Sequence, residues 1–315
     1  MKPEPERARN LACTLFLVFL LGGCATSPQT RLLLDNPPDL PQQVELTEVP
    51  FFPQKKYYCG PAALAEVINF RGGNVHPDQI ARQIYVPELK GSLQVEVVAA
   101  ARQYDLLPVE LDGRLESLLR ELAAGNPVFV LQNLAIDLLP VWHYEVLIGY
   151  DFDARKMILR SGTNRRITRP FATFEKTWQR ADYWALALVP PDQIPVTASA
   201  GDYLDAAIGM EQVGRTAIAR QAYETALGRW PDNSLAYSGL GNTAYALGDY
   251  AAAESAYRAA LERKPDQAAI WNNLAYALAA QGRRADSIDA IRQAIELEPD
   301  NPNYAASLGE LNSPQ

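Results

Sequence analysis

Three residues are of types that could attack an amide together: Gln54 and Cys59 within PQKKYYCGPAAL, and His143 at the head of HYEVLIGYD. A thiol attacks a carbonyl as its thiolate, with a base to take and return the proton and with donors aimed at the developing oxyanion. Pro61 suits the opening turn of a helix, which would put Cys59 at the positive end of a helix dipole. Read alone, Cys59 is equally a small side chain packed under that helix. His143 raises the chemical reading, because a histidine at a strand's start can point across a cleft to a helix N-terminus. The other histidine, His76, lies in GGNVHPD, where capping or solvation is expected. Two histidines leave no expectation of a structural metal or of a cofactor.

The other two cysteines belong to export. Lys2, Arg7 and Arg9 precede an apolar run from Leu11 to Leu21, too short to span a bilayer and of the length of a secretory core segment. Leu21-Gly22-Gly23-Cys24 resembles the bacterial lipobox, which implies cleavage after residue 23, a lipid on Cys24 and a periplasm-facing envelope protein. Ala25, with no aspartate there, resembles lipoproteins sorted to the outer membrane. Cys13 would leave with the signal peptide, so Cys59 is the one free thiol expected in the mature chain.

The elements that must position these groups follow from punctuation and periodicity. Residues 24–43 are rich in proline and polar residues, as a flexible tether would be, and folding is expected from about Val44. Helical spacing runs from Cys59 to about Tyr104, then short strands at 128–131, 144–150, 156–160 and 183–189, so 44–192 reads as an α+β domain. PPDQIP, Pro190 to Pro195, ends it. From 198 to 315 a period of 34 is held by Gly214, Gly248 and Gly282, by Ala226, Ala260 and Ala294, and by Pro231, Pro265 and Pro299. This resembles the tetratricopeptide repeat, with units near 200–233, 234–267 and 268–301 and a partial helix after 303. The resemblance implies a helical solenoid whose concave face binds a peptide or protein partner, with Asn242, Tyr245, Asn272 and Tyr276 expected to line it. The formal net charge of −8 argues against nucleic acid as a partner.

Gln54 with Cys59-Gly60-Pro61-Ala62-Ala63-Leu64, then GSLQVEVVAAARQYDL, HYEVLIGYD and FATFEKTW, resemble the bacteriocin-processing, or double-glycine, cysteine peptidases. The resemblance covers about residues 45–190. It implies a papain-like fold, Cys59 as nucleophile, His143 as general base and acid, and Gln54 beside the Cys59 amide as oxyanion donors. The family usually orients its histidine with an aspartate at the end of the next strand. Here that place reads Leu159-Arg160-Ser161-Gly162, which leaves Ser161 or Asn164 for the role. The expectation is therefore a membrane-anchored thiol peptidase acting on a peptide or protein, its repeats recruiting substrate or partner. The rival is a weakly active or inactive peptide-binding scaffold of an envelope complex; a transglutaminase-like or amidase activity comes third.

Overall fold

The computed structural model describes residues 27–313, so the signal segment, Cys24 and its lipidation lie outside the described residues. Its first element is α1 (Pro28–Asp35), placed where the sequence reads as tether. The helix is docked: Glu175 accepts the backbone N–H groups of Gln29 at 2.9 Å and Thr30 at 2.7 Å, and Leu33 is buried in the core. Proline and polar composition concealed this, because the capping carboxylate lies 145 residues away from Thr30. The flexible-tether reading is thus corrected from residue 28 onward.

The sheet contains β1 (Gln43–Glu45), β2 (Leu107–Glu110), β3 (Val128–Asn133), β4 (Trp142–Asp151), β5 (Lys156–Ser161), β6 (Asn164–Pro170) and β7 (Ala185–Val189). Among the described residues these strands pair antiparallel throughout, in the order β2-β7-β3-β4-β5-β6, with β1 on the last residues of β4. Helices α2 (Cys59–Phe70), α3 (Pro77–Ile84) and α4 (Gln94–Gln103) precede β2; α5 (Leu115–Ala123) follows it and α6 (Phe171–Gln179) precedes β7.

Strand β4 carries both halves of the core. Residues 144–150 are all buried rather than alternating inward and outward. Val146 and Ile148 belong to a cluster with Leu64, Val67 and Ile68 of α2, whereas Leu147 joins Leu118 of α5 and Phe174 of α6. Both faces are covered, and a strand covered on both faces reads as a continuous apolar run. Exposed β6 and three-residue β1 have no such run and were not expected.

Six helices follow in pairs: α7 (Ala200–Gln212) with α8 (Thr216–Arg229), α9 (Ser234–Ala246) with α10 (Tyr250–Arg263), and α11 (Ala268–Ala280) with α12 (Arg284–Leu297). A last helix, α13 (Pro302–Asn312), covers the final pair. Small residues set the approach: a Cβ on Gly241 of α9 would run into the Tyr257 ring of α10. The first pair is fused to the sheet's core, since Tyr203, Ala207, Met210 and Tyr223 share one buried cluster with Leu107, Val109 and Val189. The proline-rich boundary is tied down as well: Tyr203 donates to the Pro191 carbonyl at 2.9 Å and Thr197 N–H to Glu121 at 2.7 Å.

Candidate active site

Cys59 is the first residue of α2, and Pro61 sits in its opening turn. From Gly60 to Ile68 every residue of the helix is buried, so the cysteine is carried on a rigid, fully packed element. Gly60 is small for a reason: a Cβ there would lie 3.0 Å from Ser92 Oγ and 3.3 Å from the Tyr144 ring. The Ser92 segment and β4 therefore close tightly on the helix start, and Tyr144 donates its hydroxyl to the Ser92 carbonyl at 3.2 Å. Tyr57 and Lys90 on the rim both adopt positive φ, 69° and 50°, an uncommon conformation for non-glycine residues that concentrates at functional sites.

The three residues expected to act together meet in one cleft of about 840 Å³. Gln54 precedes α2 and is pinned by its own N–H, which donates to the Gly162 carbonyl in the β5–β6 turn at 3.0 Å. Its side-chain Nε2 is buried and has no hydrogen-bond partner, which leaves a donor free toward the cleft. His143 is the second residue of β4, paired across the ladder with Gln132 of β3. The cleft's lips are apolar: Leu89 and Leu93 on one side, Pro140, Val141 and Trp142 on the other.

His143 is held by its Nε2, which lies 3.2 Å from Ser161 Oγ at the end of β5. Asn164, the other candidate for orienting it, is exposed at the start of β6. A residue that the sequence reading passed over stands behind Ser161. Glu145 is completely buried, and its Oε1 lies 3.8 Å from His143 Nε2. Its other oxygen accepts a short hydrogen bond from Gln132 Nε2, and Gln132 in turn meets the Thr177 hydroxyl of α6. One signal was available: a residue two past a strand histidine shares its face, and here that residue is acidic.

Burial dominates the site's electrostatics. It pushes the Cys59 thiol up, against backbone N–H groups of Tyr144, Gly60 and Cys59, while the Glu145 charge pushes the same way as burial. Burial, aided by Arg169, lowers His143 to about 4. Glu145 is raised to about 7 by burial, opposed by the neighbouring Ser161 hydroxyl and by Arg169. The helix dipole is thus outweighed, contrary to the expectation of a ready thiolate. Near neutral pH the resting pair is thiol and neutral imidazole, and the proton must move as the thiol attacks.

Residues 46–186 match the Peptidase_C39 like family, and residues 204–254 and 238–302 match the tetratricopeptide repeat. The chain joins a C39-like domain to tetratricopeptide repeats. Similar solved structures include a C39-like peptidase of Bacillus anthracis, 19% identical with a TM-score of 0.41, over 47% of this chain and 98% of that one. The repeats are similar to the chaperone SycD of Yersinia enterocolitica in complex with a YopD peptide, 19% identical with a TM-score of 0.34, over 35% of this chain and 90% of that one. They are also similar to the second repeat domain of human RPAP3 with an HSP70 peptide, 16% identical with a TM-score of 0.35, over 36% and 96%. No curated protein matches the chain.

In the repeats, the four residues expected on the binding face lie on α9 and α11 and are engaged internally. Asn242 Oδ1 accepts from Tyr257 at 3.0 Å and from Asn273 at 3.2 Å, and Tyr276 donates to Glu310 of α13 at 2.6 Å. Tyr245 packs on Tyr250, and Asn272 donates to Asn273 at 3.3 Å. First helices of successive units are neighbours in a solenoid, so polar residues on them bond to one another.

Proposed function

We propose that the C39-like domain is a cysteine peptidase, with Cys59 as nucleophile, His143 as base and then acid, and Gln54 and the Cys59 amide as oxyanion donors. The observation that carries this is the convergence on one cleft of Gln54 and Cys59, from the approach to and start of α2, with His143 of β4, more than 80 residues later. A peptide would lie between the apolar lips with its scissile carbonyl over Cys59. The Cys59 proton passes to His143 as sulfur bonds to carbon, the oxyanion is met by Gln54 Nε2, and His143 then protonates the leaving amine before activating water. The repeats would recruit the substrate or a partner protein.

Lipidation of Cys24 and residence at the periplasmic face of the outer membrane are part of the same proposal. Only Ala25 and Thr26 would separate the anchor from Ser27, whose hydroxyl donates to the Ala172 carbonyl at 3.0 Å. Phe171 N–H bonds the Arg155 carbonyl in the β4–β5 turn, which is the end of β4 remote from His143. The body would rest on the membrane with its cleft facing away from it.

The test is iodoacetamide alkylation of Cys59 across pH, in wild type and His143→Ala, with hydrolysis of dye-quenched casein beside it. Because the resting thiol is neutral, alkylation at pH 7 should depend on His143 and fall by about tenfold or more without it, the two rates converging only above the ordinary thiol range. Equal rates at all pH values would sink the peptidase proposal. The second reading, a scaffold that holds peptides without cutting them, draws on Ser161 standing where a carboxylate is usual; His143-dependent alkylation without casein hydrolysis would favour it.

A further inference from the structure

A neutral hydroxyl at Ser161 cannot by itself stabilise an imidazolium, yet a carboxylate lies immediately behind it. We propose that Glu145 is the carboxylate that orients His143, acting through the Ser161 hydroxyl, so that Cys59, His143, Ser161 and Glu145 form one ordered proton chain. This rests on the thiol reading above and assigns a positioning residue to it.

The hydrogen-bond inventory leaves one arrangement. An ionised carboxylate only accepts, so Gln132 must present Nε2 to Glu145 Oε2, with its own Oε1 against the Thr177 hydroxyl. Glu145 Oε1 is buried without a hydrogen-bond partner, and the neighbouring Ser161 hydroxyl lowers the Glu145 pKa. If Ser161 O–H points to Glu145, its lone pairs are left for His143 Nε2–H, 3.2 Å away. Nδ1 is then unprotonated and is the nitrogen that takes the Cys59 proton. When it does, the imidazolium stands 3.8 Å from Oε1 of the fully buried Glu145. The remaining charge on this cluster is Arg169 of β6, which favours the ionised carboxylate and disfavours the imidazolium. A fully buried carboxylate is costly unless its partners use it, and an apolar residue at 145 would complete the strand at no such cost.

The experiment reads the tautomer directly. A His76→Asn background leaves His143 as the only imidazole, and its nitrogen shifts by NMR at pH 8, above the raised Glu145 value, should report Nε2–H. In Glu145→Gln the amide must still accept from Gln132, so its NH₂ turns toward Ser161, whose hydroxyl then donates to Nε2. The expected result is Nδ1–H, with Cys59 alkylation at pH 8 lowered about tenfold and rejoining wild type only above the ordinary thiol range, where the thiolate forms unaided. Ser161→Asp on the Glu145→Gln background should restore Nε2–H and the rate, and melting curves check that each variant is folded. Should Glu145→Gln not fold, Ser161→Ala decides: loss of the single tautomer and of the rate supports the chain, and retention of both overturns it. Retention of Nε2–H and of wild-type alkylation in Glu145→Gln likewise overturns it. If His143→Ala leaves alkylation unchanged as well, the thiol reading fails separately, and the tautomer still scores Glu145.

Discussion

The C39-like domain and the repeats hide polar groups in opposite ways. Among the described residues, every buried charged side chain lies in the first domain: Glu66, Glu121, Glu145, Arg160 and Glu175. The repeats bury the small hydroxyl side chains Ser234, Thr243 and Ser287 and the rings of several tyrosines, and otherwise close over alanine, glycine, leucine and isoleucine. A buried charge stabilises a fold poorly and must be held by specific partners. Glu121 and Glu175 satisfy backbone N–H groups of the domain linker and of α1, whereas Glu145 faces the site. The first domain therefore places charge where geometry must be unique, and the repeats rely on shape. Each half should fail by its own route.

The largest contrast should come from pH. Burial raises Glu66 to about 8, only partly offset by the Phe52 N–H and by Arg160. The native state thus keeps a proton that the unfolded chain releases near 4.5, so the stability contributed by this group is complete below that value and lost as pH rises through about 8. His143, lowered to about 4, has the opposite sign, but its effect is over by its ordinary 6.5, while Glu145 adds to the loss up to about 7. Between pH 5 and 8.5 Glu66 alone should withdraw about 4 kcal/mol of stability from the C39-like domain, about 2 kcal/mol of it above pH 6.5, where His143 no longer opposes it. Urea midpoints should show Glu66→Gln removing most of this slope while the repeat transition stays flat. A wild-type slope retained in Glu66→Gln would reject the assignment.

Next in size is Gly241→Val, which sets two methyl groups against the Tyr257 ring and should cost about 3 kcal/mol by overpacking. The unfolding of the repeats should shift, with alkylation of Cys59 unchanged. If alkylation falls equally, the two halves are coupled through their shared core more tightly than the comparison holds. Glu175→Gln comes third. One of its two acceptors becomes a donor facing the N–H groups of α1, a loss of about 2 kcal/mol, and trypsin should cut at Arg31 sooner than in wild type. Unchanged cleavage at Arg31 would mean that the apolar contacts of Leu33 suffice to hold α1.

The same contrast explains what could be read without coordinates. The repeats announce themselves because each contact is made by the neighbouring unit, so one period of 34 carries the whole solenoid. Cys59 and His143 were legible because few residues can do their chemistry and this chain has few of them. Glu145 was not, since its neighbours Gln132 and Ser161 come from β3 and β5, with Thr177 of α6 behind Gln132, and only the register of the sheet brings them together. For the same reason α1 passed as tether: its cap, Glu175, lies at the far end of the domain's sequence.

The smallest expected effect on stability belongs to the cleft's lip, where neither burial nor charge is at stake. Trp142, the first residue of β4, is 53% exposed and lines the cleft beside His143, after a loop whose Leu138 is 84% exposed. Exposed apolar side chains at a cleft mouth are seats for a ligand rather than parts of a core. Trp142→Ala should therefore change stability by no more than about 0.5 kcal/mol. Iodoacetamide is too small to need the lip, so its rate with Cys59 should hold, whereas casein turnover should fall through a higher KM at similar kcat. A joint fall in both rates would mean that Trp142 supports His143 rather than the substrate. An unchanged KM would move peptide binding off this wall, toward Leu89 and Leu93 opposite.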